Sequence, residues 1–473
     1  NESYMPVSTS SGMASLPQTL PEVVENIGFG WAQAKVALFG GGVWMADGAE
    51  LLLISAVTQS VAIEWNLTAF EKGAMVSIVF WGIFAGNIMS GPAGDFIGRR
   101  LPMLASFFGI IVFSLASASA QSFQVLCFAR FFVGLAFGFG QPCFQAMATE
   151  VTPSHWRAFV APAVCLSFTA GEMYSAALIL YDDPAMKNLN WRWLLRMGAI
   201  PAGILFVLNV VWLRQSPFFL SAAGRHREAK EVLRGMAVDN GVADIISVEY
   251  TAPEPVHGSE AFLDSIARHF AIIFSRELWL SSLIVMYSCF VLNFSFFGTL
   301  YAFPQIIGSL GLHGSPGVEL LIGAALEIPG LVLGNILCVL LPRKPVMKVY
   351  LAGMTIFLVL FSYFAGAEKK NPFSRFAVSV GYYGVKICPL LGFAAGYQYS
   401  TELYPTKARA TGTALSFAGG RLGGILAPLV YEALTEVVDF WYFFVLIASM
   451  SALNAIMIGF LPYETANKQL DVP

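Results

Sequence analysis

Apolar residues recur along the chain in twelve long stretches separated by short polar or charged segments. Their approximate limits are 36–61, 74–94, 101–119, 123–149, 158–181, 194–213, 279–306, 317–341, 346–366, 373–402, 410–433 and 439–461. About 20 largely uncharged residues in helical conformation are enough to cross a bilayer. The pattern therefore predicts twelve membrane-spanning helices. Many contain Gly or Pro, which such helices tolerate where neighbours re-satisfy the backbone.

The longest polar connection, 214–278, falls between the sixth and seventh stretches. It divides the chain into a tail at 1–35, a six-helix unit at 36–213, a linker at 214–278, a second six-helix unit at 279–462 and a tail at 463–473. Within the linker, Ser216-Pro217 places a capping residue before a proline at the first helical position. The residues that follow, through Arg234, read as one amphipathic surface helix, with 239–260 loose. The two units also repeat. Glu150 is followed by Arg157 after the fourth stretch, and Glu402 by Arg409 after the tenth, both at an offset of 252. Such symmetry is expected of transporters built from related bundles around a central site.

Composition supports the membrane reading. Charged residues are 12% of the chain, against about 25% in soluble proteins. A soluble surface for 473 residues could not be made from them. The net charge of −3 makes nucleic acid an unsuitable partner. The six cysteines form no CxxC pair or Cys/His cluster, so no metal site or disulfide framework is expected. All five histidines lie in connecting segments, and no Walker-type loop is present. No cofactor is expected, and no enzyme constellation is found. Residues 1–35 do not read as a signal peptide.

Orientation follows from the basic residues. With both ends in the cytoplasm, seventeen of the 27 Lys and Arg fall on the cytoplasmic side and seven on the other. The remaining three, Arg130, Lys386 and Arg421, lie within the stretches. Asn66-Leu67-Thr68 matches the N-glycosylation pattern on the outer side.

The segment Gly91-Pro-Ala-Gly-Asp95-Phe-Ile-Gly98-Arg99-Arg100 resembles the loop signature of the major facilitator superfamily. Arg130-xxx-Gly134, the paired Glu-x6-Arg elements and Arg214-Gln-Ser-Pro-Phe-Phe-Leu220 are similar to its sugar-porter signatures. Trp44-Met-Ala-Asp47-Gly-Ala-Glu50, Glu327-Ile-Pro329 and Gly420-Arg421-Leu-Gly-Gly-Ile-Leu-Ala-Pro428 resemble the branch of synaptic-vesicle-2-related, bacterial niacin and animal organic-ion transporters. Two departures stand out. Position 96 is Phe where the loop often carries a basic residue, and 341–348 lacks the Gly-Asp part of the signature.

The resemblance implies an all-α fold of two pseudo-symmetric six-helix bundles. It implies a monomeric carrier, in the plasma membrane or that of an organelle, that works by alternating access. It also gives roles to the charges within the stretches, where an ionisable group is functional by default. Asp47 and Arg130 match a protonation switch, with Glu50 on the same helix face as Asp47. Lys386 and Arg421 match cavity cations of organic-ion carriers, and a guanidinium suits a carboxylate. The alternative for Arg421 is a structural pair with Glu327. Glu327 and Glu172 are substrate contacts, proton sites or packing partners. Asn293, Trp44 and Gln398, with aromatic residues of the seventh and tenth stretches, are candidates for the cavity wall. Asp95, Arg99, Arg100, Glu150, Arg157, Glu402 and Arg409 match a cytoplasmic gate of inter-bundle ion pairs.

The expected function is symport of a small organic anion with protons. The alternatives are a facilitator or exchanger of an organic cation or neutral solute such as a sugar, and a sensor or structural component that does not transport.

Overall fold

The computed structural model describes residues 18–462 apart from 245–247, 252–261, 313, 367–370 and 406–407, together with 464 and 465. Among the described residues there is no strand, and twelve helices are long and apolar enough to span a membrane. They are α1 (Trp31–Trp65), α2 (Ala69–Ile97), α3 (Arg100–Ala118), α4 (Phe123–Val151), α5 (Ser154–Asp182), α6 (Trp191–Trp212), α7 (Trp279–Leu310), α8 (Pro316–Leu340), α9 (Arg343–Ala365), α10 (Pro372–Glu402), α11 (Thr411–Val437) and α12 (Phe440–Gly459). All twelve match the apolar stretches to within a few residues. The starts of α1 and α2 differ most; α1 continues toward its N-terminus through a wide π turn at Val36–Gly40.

The linker departs from the single helix that its sequence predicts. Ser216 caps a short helix, Pro217–Ala222, by accepting from the Phe219 N–H. Gly224 then takes φ +75°, a left-handed conformation that ends the helix. A second helix runs His226–Asp239, and a third, which the sequence did not signal, runs Phe262–Ile273. The linker grips the start of α1. Asn240 Oδ1 accepts from the Ala32 N–H at 2.9 Å, and Asp239 pairs with both Lys35 and Arg214 at 2.9 Å. Part of the segment expected to be loose, 245–247 and 252–260, lies outside the described residues.

Glycine sets the spacing of the first six helices. A Cβ on Gly82 or Gly86 would stand 2.1 or 2.3 Å from the carbonyl oxygens of Phe131 and Leu135. From the other side, a Cβ on Gly134 or Gly138 would stand 2.0 or 2.1 Å from those of Val79 and Ile83. Helices α2 and α4 thus touch backbone to backbone, as small-residue membrane interfaces allow. Gly134→Leu must separate them, at a cost of at least about 1–3 kcal/mol. A lowered thermal midpoint of the detergent-purified variant is the expected result.

The six-helix halves meet at the face away from the basic loops, here called the far face. Helix α2 packs along α11, α5 against α8, and α1 against α7. Lys72 Nζ lies 2.6 Å from Glu432 Oε2, and Tyr301 donates to the other oxygen of Glu432 at 2.6 Å. The Gly317 N–H donates to the Pro184 carbonyl at 3.0 Å. At the basic face, among the described residues, no ion pair joins the two halves. The molecule is therefore closed at its far face.

Candidate functional site

Helices α1 and α5 approach closely because two glycines face them. A Cβ on Gly48 would be 2.2 Å from the Phe168 carbonyl oxygen, and one on Gly171 would be 2.0 Å from that of Met45. The contact brings the carboxylates of α1 to mid-depth near the meeting of the halves. Three charged groups surround that level.

The first is Glu50 with Arg130. Arg130 Nη1 donates to Glu50 Oε2 at 2.5 Å, and both residues are essentially inaccessible. Gly198 of α6 leaves space for the carboxylate, since a Cβ there would stand 3.3 Å from Glu50 Oε1.

The second crosses between the halves. Gln141 Nε2 of α4 donates to Asp47 Oδ2 at 2.8 Å, and its Oε1 accepts from Arg421 Nη2 of α11 at 3.3 Å. An amide can serve a carboxylate and a guanidinium at once because it offers a donor at one end and an acceptor at the other. Asp47 is buried and Arg421 partly exposed. Asp47 Oδ1, Trp44 Nε1 and Gln398 Oε1 are buried polar atoms that find no hydrogen-bond partner in the protein. Such atoms are uncommon in folded proteins and call for an explanation. Asn293 stands nearby, donating to the Cys289 carbonyl at 2.8 Å and to the Tyr397 hydroxyl at 3.2 Å. Rings of Phe296, Phe393 and Tyr397 follow one another at centroid distances of 5.2 and 5.3 Å.

The third also crosses the halves. Lys386 Nζ of α10 lies 2.9 Å from Glu327 Oε1 of α8 and 3.4 Å from Glu172 Oε2 of α5. Thr169 Oγ1 donates to Glu327 Oε2 at 3.2 Å. Glu327 begins the second segment of α8, just after a break at Leu326. Pro329 accounts for the break: it has no N–H to offer the Ala325 carbonyl.

These positions revise several expectations. Asp47 and Arg130 do not pair in this structure, because Glu50, one turn further along α1, occupies the guanidinium. Arg421 meets Gln141 rather than Glu327. Lys386, matched to a cavity cation, is enclosed by two acids. Gln141 and the Lys72–Glu432 pair were not singled out. The available signals were a polar amide beside Pro142 inside α4, and a Glu within the last third of an apolar stretch.

At the basic face the halves repeat one arrangement. Arg99 Nη2 lies 3.0 Å from Glu150 Oε1 and 3.5 Å from Asp95. Arg343 Nη2 lies 3.3 Å from Glu402 Oε1. Arg157 Nε donates to the Thr152 carbonyl and Arg409 Nε to the Tyr404 carbonyl, at 3.1 and 3.3 Å. The Gly-Asp lost from 341–348 has therefore not removed the arginine–glutamate pair of the second half. Arg100 takes no part: it donates to the Val210 carbonyl at 2.9 Å.

Residues 11–472 match the family described as sugar (and other) transporters. An organic cation/carnitine transporter 7 of Arabidopsis thaliana is 27% identical, covering 96% of this chain and 95% of its own. A synaptic vesicle 2-related protein of Xenopus laevis is 26% identical, over 95% of this chain and 81% of its own. Among solved structures, the E. coli xylose transporter XylE in an inward-open conformation superposes with a TM-score of 0.72 at 15% identity, over 93% of this chain and 98% of its own. A structure of XylE described as a proton:xylose symporter gives 0.68 at 16% identity, over 93% of this chain and 97% of its own.

Proposed function

The chain belongs to the sugar (and other) transporter family, as a multi-pass membrane transporter of organic solutes of the major facilitator type, and from that premise we propose that it carries a small organic anion together with protons. The observation that carries this reading is Arg421. It is a cation at mid-depth between the halves, partly exposed, and its hydrogen bond across them goes to a neutral amide at 3.3 Å. A carboxylate offers that guanidinium two charge-assisted bonds where Gln141 offers one neutral acceptor. Trp44, Asn293 and Gln398 complete the wall, and the unpaired Trp44 Nε1 and Gln398 Oε1 orient the remainder of the solute. Asp47 takes the proton. Its charge has only an amide hydrogen bond, and its Oδ1 has none, so protonation costs it no ion pair. Glu50 and Arg130 hold α1 on α4 beneath it.

The two bundles, 36–213 and 279–462, rock about this level with the basic face toward the cytoplasm, and the protein works as a monomer. Asp95, Arg99, Glu150, Arg157, Glu402 and Arg409 form the gate of that face, with Arg100 bound instead to the Val210 carbonyl. Pairs that exist in one state only bias the equilibrium between states by their differential energy.

A second reading has one observation in its favour. Asp47 is an acid without a cation in contact, which suits an organic cation, the class that the name of the Arabidopsis relative carries. Thermal unfolding of the purified protein separates the readings, because a bound ligand at 100 times its Kd stabilises by about 2.7 kcal/mol. A panel of aromatic and aliphatic carboxylates, quaternary amines and hexoses is to be compared. Stabilisation by carboxylates, lost in Arg421→Ala, is expected. Stabilisation by amines or hexoses alone would overturn the anion reading.

A further inference from the structure

We propose that the acid pair Glu172 and Glu327, with Lys386 between them, is a proton-binding site that controls closure of the far face. This deepens the proton coupling proposed above by adding a second site to Asp47. The site is built across the moving interface: Glu172 belongs to α5 of the first half, whereas Glu327 and Lys386 belong to the second. Both carboxyls are inaccessible and Lys386 is nearly so. One ammonium neutralises one carboxylate. The second remains, and Glu172 Oε1 is buried with no hydrogen-bond partner. The other ionisable groups facing the cluster are Cys165 on α5 and Tyr382 on α10, both neutral in their ordinary forms, so neither supplies the missing positive charge. Arg130 and Arg421 are committed elsewhere, to Glu50 and Gln141. A buried, uncompensated carboxylate is too costly to persist at this contact.

The balance is simple. With the far face closed, the cluster holds one proton on its two carboxyls and is neutral overall. When that proton leaves to water, the cluster carries one net negative charge, and parting α5 from α8 and α10 lets Glu172 hydrate. When the far face closes again, one proton is taken from water. Closure is thus linked to one proton, so the ratio of far-face-open to far-face-closed molecules should rise about tenfold per pH unit once the open form has ionised.

The test places spin labels at Gln121→Cys and Val437→Cys, on opposite halves at the far face, in protein whose six native cysteines are replaced by alanine. Inter-label distances are measured in lipid nanodiscs without substrate from pH 5 to 9. The share of molecules at the longer, far-face-open distance should grow with pH. Glu172→Gln should hold the closed distance throughout, because the cluster is then neutral without a proton. Glu327→Gln should do the same, which guards against a folding defect peculiar to one variant. A distance independent of pH, or a pH dependence that persists in both variants, would overturn the proposal. Uptake assays keep the two proposals apart. A dependence removed by both Gln variants in a protein whose uptake ignores a proton gradient keeps this site and removes the symport. Gradient-driven uptake with an unaltered distance response in both variants keeps the symport and removes this site.

Discussion

Arg421→Ala is expected to lower uptake of a carboxylate-bearing solute by about ten- to a hundredfold. A hydrogen bond to a charged group contributes about 1.5–3 kcal/mol, and each 1.4 kcal/mol is about a tenfold change. Arg421→Lys should lie between, since it keeps the charge and loses the planar fork. The measurement is the initial rate into proteoliposomes at solute concentrations well below KM. Folding should survive both substitutions, because among the described residues the side-chain hydrogen bond lost is the 3.3 Å contact to Gln141. An unchanged thermal midpoint with lost uptake is the predicted pair of results. Lost uptake with a collapsed midpoint would assign Arg421 to structure instead.

Glu50→Leu and Arg130→Met are each expected to cost about 3–5 kcal/mol, because each leaves a buried charge without its partner. The double substitution should cost much less than the sum, since both charges leave together. Denaturant unfolding of all three variants measures this coupling directly. The double variant also separates structure from transport. If it folds and still couples uptake to protons, the pair serves only to hold α1 on α4. If it folds and uptake becomes independent of the gradient, the pair supports protonation of Asp47.

The number of helices and their approximate limits were legible from the sequence because lipid imposes one simple rule: a spanning segment must be long and apolar. The repeated Glu-x6-Arg elements were legible for the same reason as any internal repeat, since the two halves fold alike. The pairing of charges was not. Asp47 and Glu50 share a helix face, and one-dimensional spacing does not decide which of them meets Arg130. That choice depends on the approach of α1 to α4 and α6, set in part by Gly198, which leaves room for the Glu50 carboxylate. The partners of Lys386 were not legible because its two acids come from α5 and α8, 214 and 59 residues away in sequence. The linker misled for a local reason: the left-handed turn at Gly224 ends a helix whose polar pattern continues across it.

Solute-driven proton coupling is most directly tested by uptake of labelled nicotinate into proteoliposomes, with and without an acid-outside pH gradient, against protein-free vesicles that report passive entry of the weak acid. Uptake stimulated by the gradient beyond that background, and absent in both Arg421→Ala and Asp47→Asn, is the predicted result. Protein-mediated uptake of the same size with and without the gradient would contradict it and leave the protein a facilitator or exchanger.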